Sequence, residues 1–176
     1  MNGRSAGLAA GLMVGLVAAV FLIKLANKDG RFRTEYDERQ TTIRGKAYRY
    51  AFYTELLAQA VIMCLLMGGA ELFVEAYGLV FIGIMLGCVV LAGYCIWKDV
   101  YWGLNNSKKR YHVIFIASIA LNVLPVVMSA KEGSLFNEEG RIGMPILNIC
   151  ALVLIGFIYA ELLIKGIMDK YAEDKE

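Results

Sequence analysis

Four stretches of this chain pass through about one bilayer thickness without a charged side chain. Arg4 to Lys24 encloses 19 uncharged residues, Glu75 to Lys98 encloses 22, Arg110 to Lys131 encloses 20 and Arg141 to Glu161 encloses 19. A helix rises 1.5 Å per residue, so roughly 20 mostly apolar residues cross the hydrocarbon layer. A fifth stretch, from Tyr50 to Ala70, meets the same test with one interruption at Glu55. Hydrophobic residues make up 59% of the 176 and charged ones only 19%, and the charges are clustered between the apolar runs. The runs do not alternate in polarity, and the chain holds two prolines, so a β-barrel is excluded. The expected fold is all-α, a polytopic membrane bundle of about five transmembrane helices. We place the spans at 5–24, 50–72, 76–97, 112–130 and 143–165 of a single membrane domain.

The basic residues orient that bundle. With the N-terminus outside, the segments 25–49 and 98–111 and the C-terminal tail, with the inner helix ends, hold 15 of the 18 Lys and Arg residues. Only Arg4, Lys131 and Arg141 stay outside. The positive-inside rule therefore predicts an N-out, C-in protein of the cell membrane. Tyr94, Trp97, Tyr101, Trp102 and Tyr111 bracket the inner loop, at the depth aromatic rings prefer. The first span is read as a retained helix rather than a cleaved signal peptide, because the positive charge follows it and its apolar run is long.

Small residues predict how the helices pack. Gly3, Gly7, Gly11, Gly15 and Ala19 recur every four residues, near one face of the first span. Lipid provides little hydrophobic drive between helices, so close backbone approach marks an interface. The row fits another helix of the same chain or a second copy. In span four, Pro125 frees the carbonyl of Leu121, and Asn148 of span five is a candidate donor to it. Cys64, Cys88, Cys95 and Cys150 all fall inside spans, without metal-ligand spacing.

Two carboxylates enter the membrane. Glu161 has Lys165 four residues later, the favourable order for a helical pair, and local neutralisation is expected. Glu55 has only Ala51, Phe52, Ala58 and Gln59 at helical neighbour positions. It needs a partner from another helix, with Lys24, Lys98 and Lys165 the bases at suitable depth, or else it is a proton or cation site. His112, the only histidine, reads as an interfacial anchor. No zinc-protease, nucleophile-elbow or phosphate-loop pattern occurs. No catalysis, metal, cofactor or nucleic-acid partner is expected.

The segment 25–49 is the distinctive polar stretch. Thr34 is a candidate N-cap for a short surface helix, with Gly45 as a bend before span two. Within it, Asp37-Glu38-Arg39, Ile43 and Lys46-Ala47 form D-E-R-x-x-x-I-x-x-K-A directly before an apolar helix. The pattern resembles that of small multi-helix membrane proteins of bacteria and archaea, a family of unknown function. The resemblance implies a bacterial membrane protein with a regulatory setting, and brings no catalytic residues. The expected function is a non-catalytic accessory or regulatory subunit that binds a membrane or cytoplasmic partner, or a second copy. The alternative is a small homo-oligomeric channel or transporter component using Glu55.

Overall fold

The computed structural model describes residues 3–70 and 72–173, with side chains described for residues 11, 13–70 and 72–172. Five helices follow one another: α1 (Gly3–Ala26), α2 (Glu38–Met67), α3 (Ala76–Trp97), α4 (Lys108–Lys131) and α5 (Pro145–Glu173). No strand forms among the described residues. Four of the helices, α2 to α5, are long and apolar enough to cross a membrane. The described side chains of α1 continue the same apolar character from Met13 to Ala26.

α3 occupies the predicted limits. α2 does not. The expected surface helix from Thr34 and the bend at Gly45 are absent: one uninterrupted helix of 30 residues starts at Glu38. Gly45 lies in an open stretch of that helix, where a Cβ would meet nothing within 4 Å. A glycine costs a helix about 1 kcal/mol relative to alanine, and packing of the flanking Ile43 and Ala47 outweighs it. α2 also ends five residues early, at Met67. Gly69, at φ +67°, closes it, with the Ala70 amide donating to the Leu65 carbonyl at 3.1 Å. α5 runs past the expected limit of 165 to Glu173.

The chain divides into two compact units, Met1–Asp37 with Trp102–Ile114, and Glu38–Tyr101 with Phe115–Glu176. α4 begins in the first and continues in the second. In the second unit α3 is the axis, packed against α2 and against α5. Its glycines make the approach close. A Cβ on Gly83 would lie 2.6 Å from Gln59 Nε2 of α2, and one on Gly87 would lie 3.3 Å from the Ala51 carbonyl oxygen. Gly78 and Gly93 face α5 instead, at 3.0 Å from Ile146 Cγ2 and 3.1 Å from Glu161 Oε2. Gln59 Nε2 donates to the Val80 carbonyl at 3.0 Å, which links α2 to α3 by a polar contact.

The end of this unit that the positive-inside rule predicts to face inward holds a small dry core of Ala47, Cys95 and Val100, with Ile43, Leu91, Tyr94 and Tyr101 against it. Asp99, at φ +58°, ends α3 in the left-handed conformation. The Val100 amide returns to the Cys95 carbonyl at 2.9 Å and the Asp99 amide to Ile96 at 3.1 Å. Arginines of α2 cover neighbouring carbonyls: Arg39 donates to Lys98 and Arg44 to Val100, at 3.4 and 3.2 Å. At the outer end the Ile142 amide donates to the Phe73 carbonyl at 2.8 Å, and Asn137 Nδ2 to Glu75 Oε1 at 2.5 Å.

The first unit closes around three asparagines. Asn27, fully buried, donates from Nδ2 to the carbonyls of Arg31 and Arg33 at 2.8 and 3.1 Å. Its Oδ1 accepts from Asn106 Nδ2 at 2.7 Å, and Asn106 Oδ1 accepts from the Gly103 amide at 2.7 Å. Asn105 Oδ1 accepts from the Glu35 amide at 2.9 Å, while its Nδ2 donates to Asp29 and to the Arg33 carbonyl. Gly103 is required there, since a Cβ would stand 2.7 Å from the Glu35 carbonyl oxygen. Arg110 donates to the carbonyls of Leu25 and Asn27 at 3.2 and 2.8 Å, capping α1 with a cation where its dipole is negative.

Replacing Asn27 with alanine removes the partners of the Asn106 amide and of the Arg31 carbonyl, while the Arg33 carbonyl keeps Asn105. Each orphaned buried group costs about 1–3 kcal/mol. By hydrogen exchange, Asn27→Ala is expected to strip protection from the amides of Lys28, Leu104 and Ser107 and to spare the middle of α3. Equal loss along α3 would show that the knot has no stability of its own.

Candidate functional site

The two membrane carboxylates both lie against α3. Glu55, half-buried on α2, sits over Gly87: a Cβ there would be 3.2 Å from Glu55 Cβ and 3.4 Å from Oε2. Neither Lys98 nor Lys165 pairs with Glu55 within 4.0 Å, and Lys24 lies over the Phe32 ring, 4.8 Å from its centroid. The expected ionic partners of Glu55 are therefore engaged or turned elsewhere. What admits the carboxylate is the missing side chain of Gly87.

Glu161 departs from expectation more sharply. The Glu161–Lys165 pair does not form. Lys165 Nζ instead meets Asp169 Oδ1 at 2.7 Å and Asp99 Oδ1 at 3.1 Å. Asp169 on α5 and Asp99 just past α3, both well exposed, compete successfully with Glu161, which is half-buried against α3. Glu161 Oε1 accepts from the Trp97 indole N–H at 3.2 Å. Its Oε2 is buried with no hydrogen-bond partner among the described residues. A single donor is thin compensation for a carboxylate out of water. The result is a polar track at the inner ends of α3 and α5: Glu161 and Trp97 deeper, then Lys165, Asp99 and Asp169.

The other predicted residues are dispersed. Gly11 and Gly15 face open space, and Ala19 is exposed. Gly3 and Gly7 lie outside the residues whose side chains are described. In the D-E-R-x-x-x-I-x-x-K-A segment, Ile43 and Ala47 point into the inner core and Arg39 reaches α3, whereas Glu38 and Lys46 are exposed. Asp37 is exposed as well, and no group of three His, Cys, Asp or Glu that could hold a metal occurs among the described residues. Asn122 Nδ2 donates to Ser118 in its own helix at 2.8 Å, and Asn148 makes no hydrogen bond to Leu121 among those described.

Sequence reasoning missed the asparagine knot. Its signals were an asparagine directly after an apolar helix and an Asn-Asn pair two residues from the apolar–aromatic loop glycine Gly103, both turn-forming patterns. Asp29 belongs to it: the Arg31 backbone N–H, above all, holds its carboxyl below the usual aspartate value. Comparison with family models, with curated proteins and with solved structures yields no match.

Asp99 offers a direct test of the inner track. A non-glycine residue in the left-handed region costs about 1–2 kcal/mol, and an exposed ion pair returns at most about 1 kcal/mol. Asp99→Gly relieves the strain and loses the pair, whereas Asp99→Ala keeps the strain and loses the pair. Thermal unfolding in detergent should place the glycine variant at least about 1 kcal/mol above the alanine variant. A glycine variant less stable than the unaltered chain would show that the Asp99–Lys165 contact outweighs the backbone strain.

Proposed function

We propose that this chain is a non-catalytic cell-membrane protein, N-out and C-in, that serves as an accessory or regulatory subunit by binding another membrane helix through α1. The observation that carries this reading is the row Gly11, Gly15 and Ala19: a Cβ on either glycine would meet nothing within 4 Å, and Ala19 is exposed. In lipid, a groove of small residues gains little from acyl chains and much from a closely packed helix backbone. α4 adds a second weakly engaged element, with no buried residue along its 24.

Purified in mild detergent, the chain should emerge with a stoichiometric partner or as a defined homo-oligomer. Gly11→Leu with Gly15→Leu should release that partner while the helical content stays unchanged. A monomer with no partner, unchanged by the substitutions, would sink the reading.

A second reading follows from Glu55, a half-buried carboxylate with no ion pair within 4.0 Å among the described residues. A channel or transporter component would use it as a proton or cation site. In proteoliposomes Glu55→Gln should then abolish a flux that the unaltered chain supports; absence of flux in both removes this reading.

A further inference from the structure

We propose that the inner end of the first unit is a binding surface for the phosphate-bearing headgroups of anionic lipids, formed by Lys28, Arg33, Lys108 and Lys109 around the asparagine knot. These four residues come from two distant stretches of sequence. The knot joins their backbones. The Lys28 amide donates to the Asn105 carbonyl at 2.7 Å and the Ser107 amide to Ala26 at 2.9 Å. The Arg33 carbonyl accepts from Asn27 and Asn105.

All four side chains are exposed, and none takes part in an ion pair within 4.0 Å among the described residues. Their neighbours are already committed: Arg31 to Asp29 and Glu35, and Arg110 to the carbonyls of Leu25 and Asn27 at the end of α1. Charge is also segregated between the units. The first carries eight basic and three acidic residues, net +5, and the second ten basic and thirteen acidic, net −3.

Lys108 and Lys109 open α4, where the helix dipole is positive and cations are disfavoured. No acidic residue lies in that first turn, so an external anion would offset both terms. Phe32 and Leu104, in the two joined loops, are 50% and 60% exposed. Phe32 packs edge-on against Phe21 of α1, ring centroids 5.8 Å apart. That contact sets the loop beside the apolar, outward-facing surface of a membrane helix, at the headgroup boundary. Bases beside exposed apolar side chains at that depth suit an anionic bilayer surface better than a soluble acidic protein.

The test uses the full chain in phosphatidylcholine bilayers containing spin-labelled phosphatidylglycerol or spin-labelled phosphatidylcholine. The unaltered chain should hold phosphatidylglycerol preferentially. Changing Lys28, Arg33, Lys108 and Lys109 together to glutamine should reduce that preference about tenfold, since each base near an anionic surface contributes up to about fivefold. High salt should reduce it as well. Lys131→Gln with Arg141→Gln, at the other end of the bundle, should leave it intact. The proposal is overturned if the unaltered chain shows no preference, if the quadruple variant keeps it, or if the outer variant loses as much. Displacement of the lipid by millimolar inorganic phosphate would reassign the surface to a free anion. Salt-sensitive binding of a polyglutamate peptide without lipid preference would reassign it to an acidic protein.

Discussion

Close backbone approach at α3 is the constraint from which the second unit follows. Lipid tails are as apolar as leucine, so burying apolar side chains between membrane helices gains little. Contact density must come from proximity, and proximity needs positions without a Cβ. α3 supplies them in two directions, Gly83 and Gly87 toward α2 and Gly78 and Gly93 toward α5. The same vacancies admit polar groups. Gln59 reaches a backbone carbonyl across the first interface, Glu55 rests against Gly87, and Glu161 rests against Gly93. A valine at any of these positions would fill the space the polar side chain uses. The glycines thus fix both how tightly α3 is gripped and where charge is tolerated.

The inner helix ends share a second device. α1 and α3 both finish with carbonyls that their own helices leave unbonded. Arginines from elsewhere reach those ends or the backbone just past them: Arg110 at α1, Arg39 and Arg44 at α3. In the proposed orientation both C-termini point inward. The excess of basic residues that sets the topology then also supplies the cations that these negative helix ends favour. A charge distribution acting on insertion and on capping is constrained twice, which explains why so many inner arginines have carbonyl partners rather than carboxylates.

The helices were legible because hydropathy over a bilayer-length window depends on composition rather than on neighbours. α3, flanked by Glu75 and Lys98, falls on its predicted limits for that reason. Gly45 misled because propensity is a local quantity, and Ile43 and Ala47 are anchored by a core formed with residues near 95 and 100. Lys165 misled for a related reason. Its spacing to Glu161 is visible in sequence, but Asp169 has the same spacing on the other side, and Asp99 tips the balance from a different helix. The asparagine knot was least legible of all. Hydrogen bonds across 70 to 79 residues leave only weak traces, a turn-forming residue at each end.

α1 links the two proposals and separates their chemistry. Its upper part carries Gly11, Gly15 and Ala19, small positions with no atom within 4 Å of a Cβ on either glycine, a face that rewards a second backbone and offers no charge. Below Ala26 the knot takes over, rigid because its buried amides have partners on both sides of the joint. A helix bound to the upper face would gain contact area whatever the headgroups are. A headgroup at the lower face would gain Coulomb energy whatever the helix is. Rigidity at the joint couples the two: fixing the knot fixes the direction in which α1 leaves it.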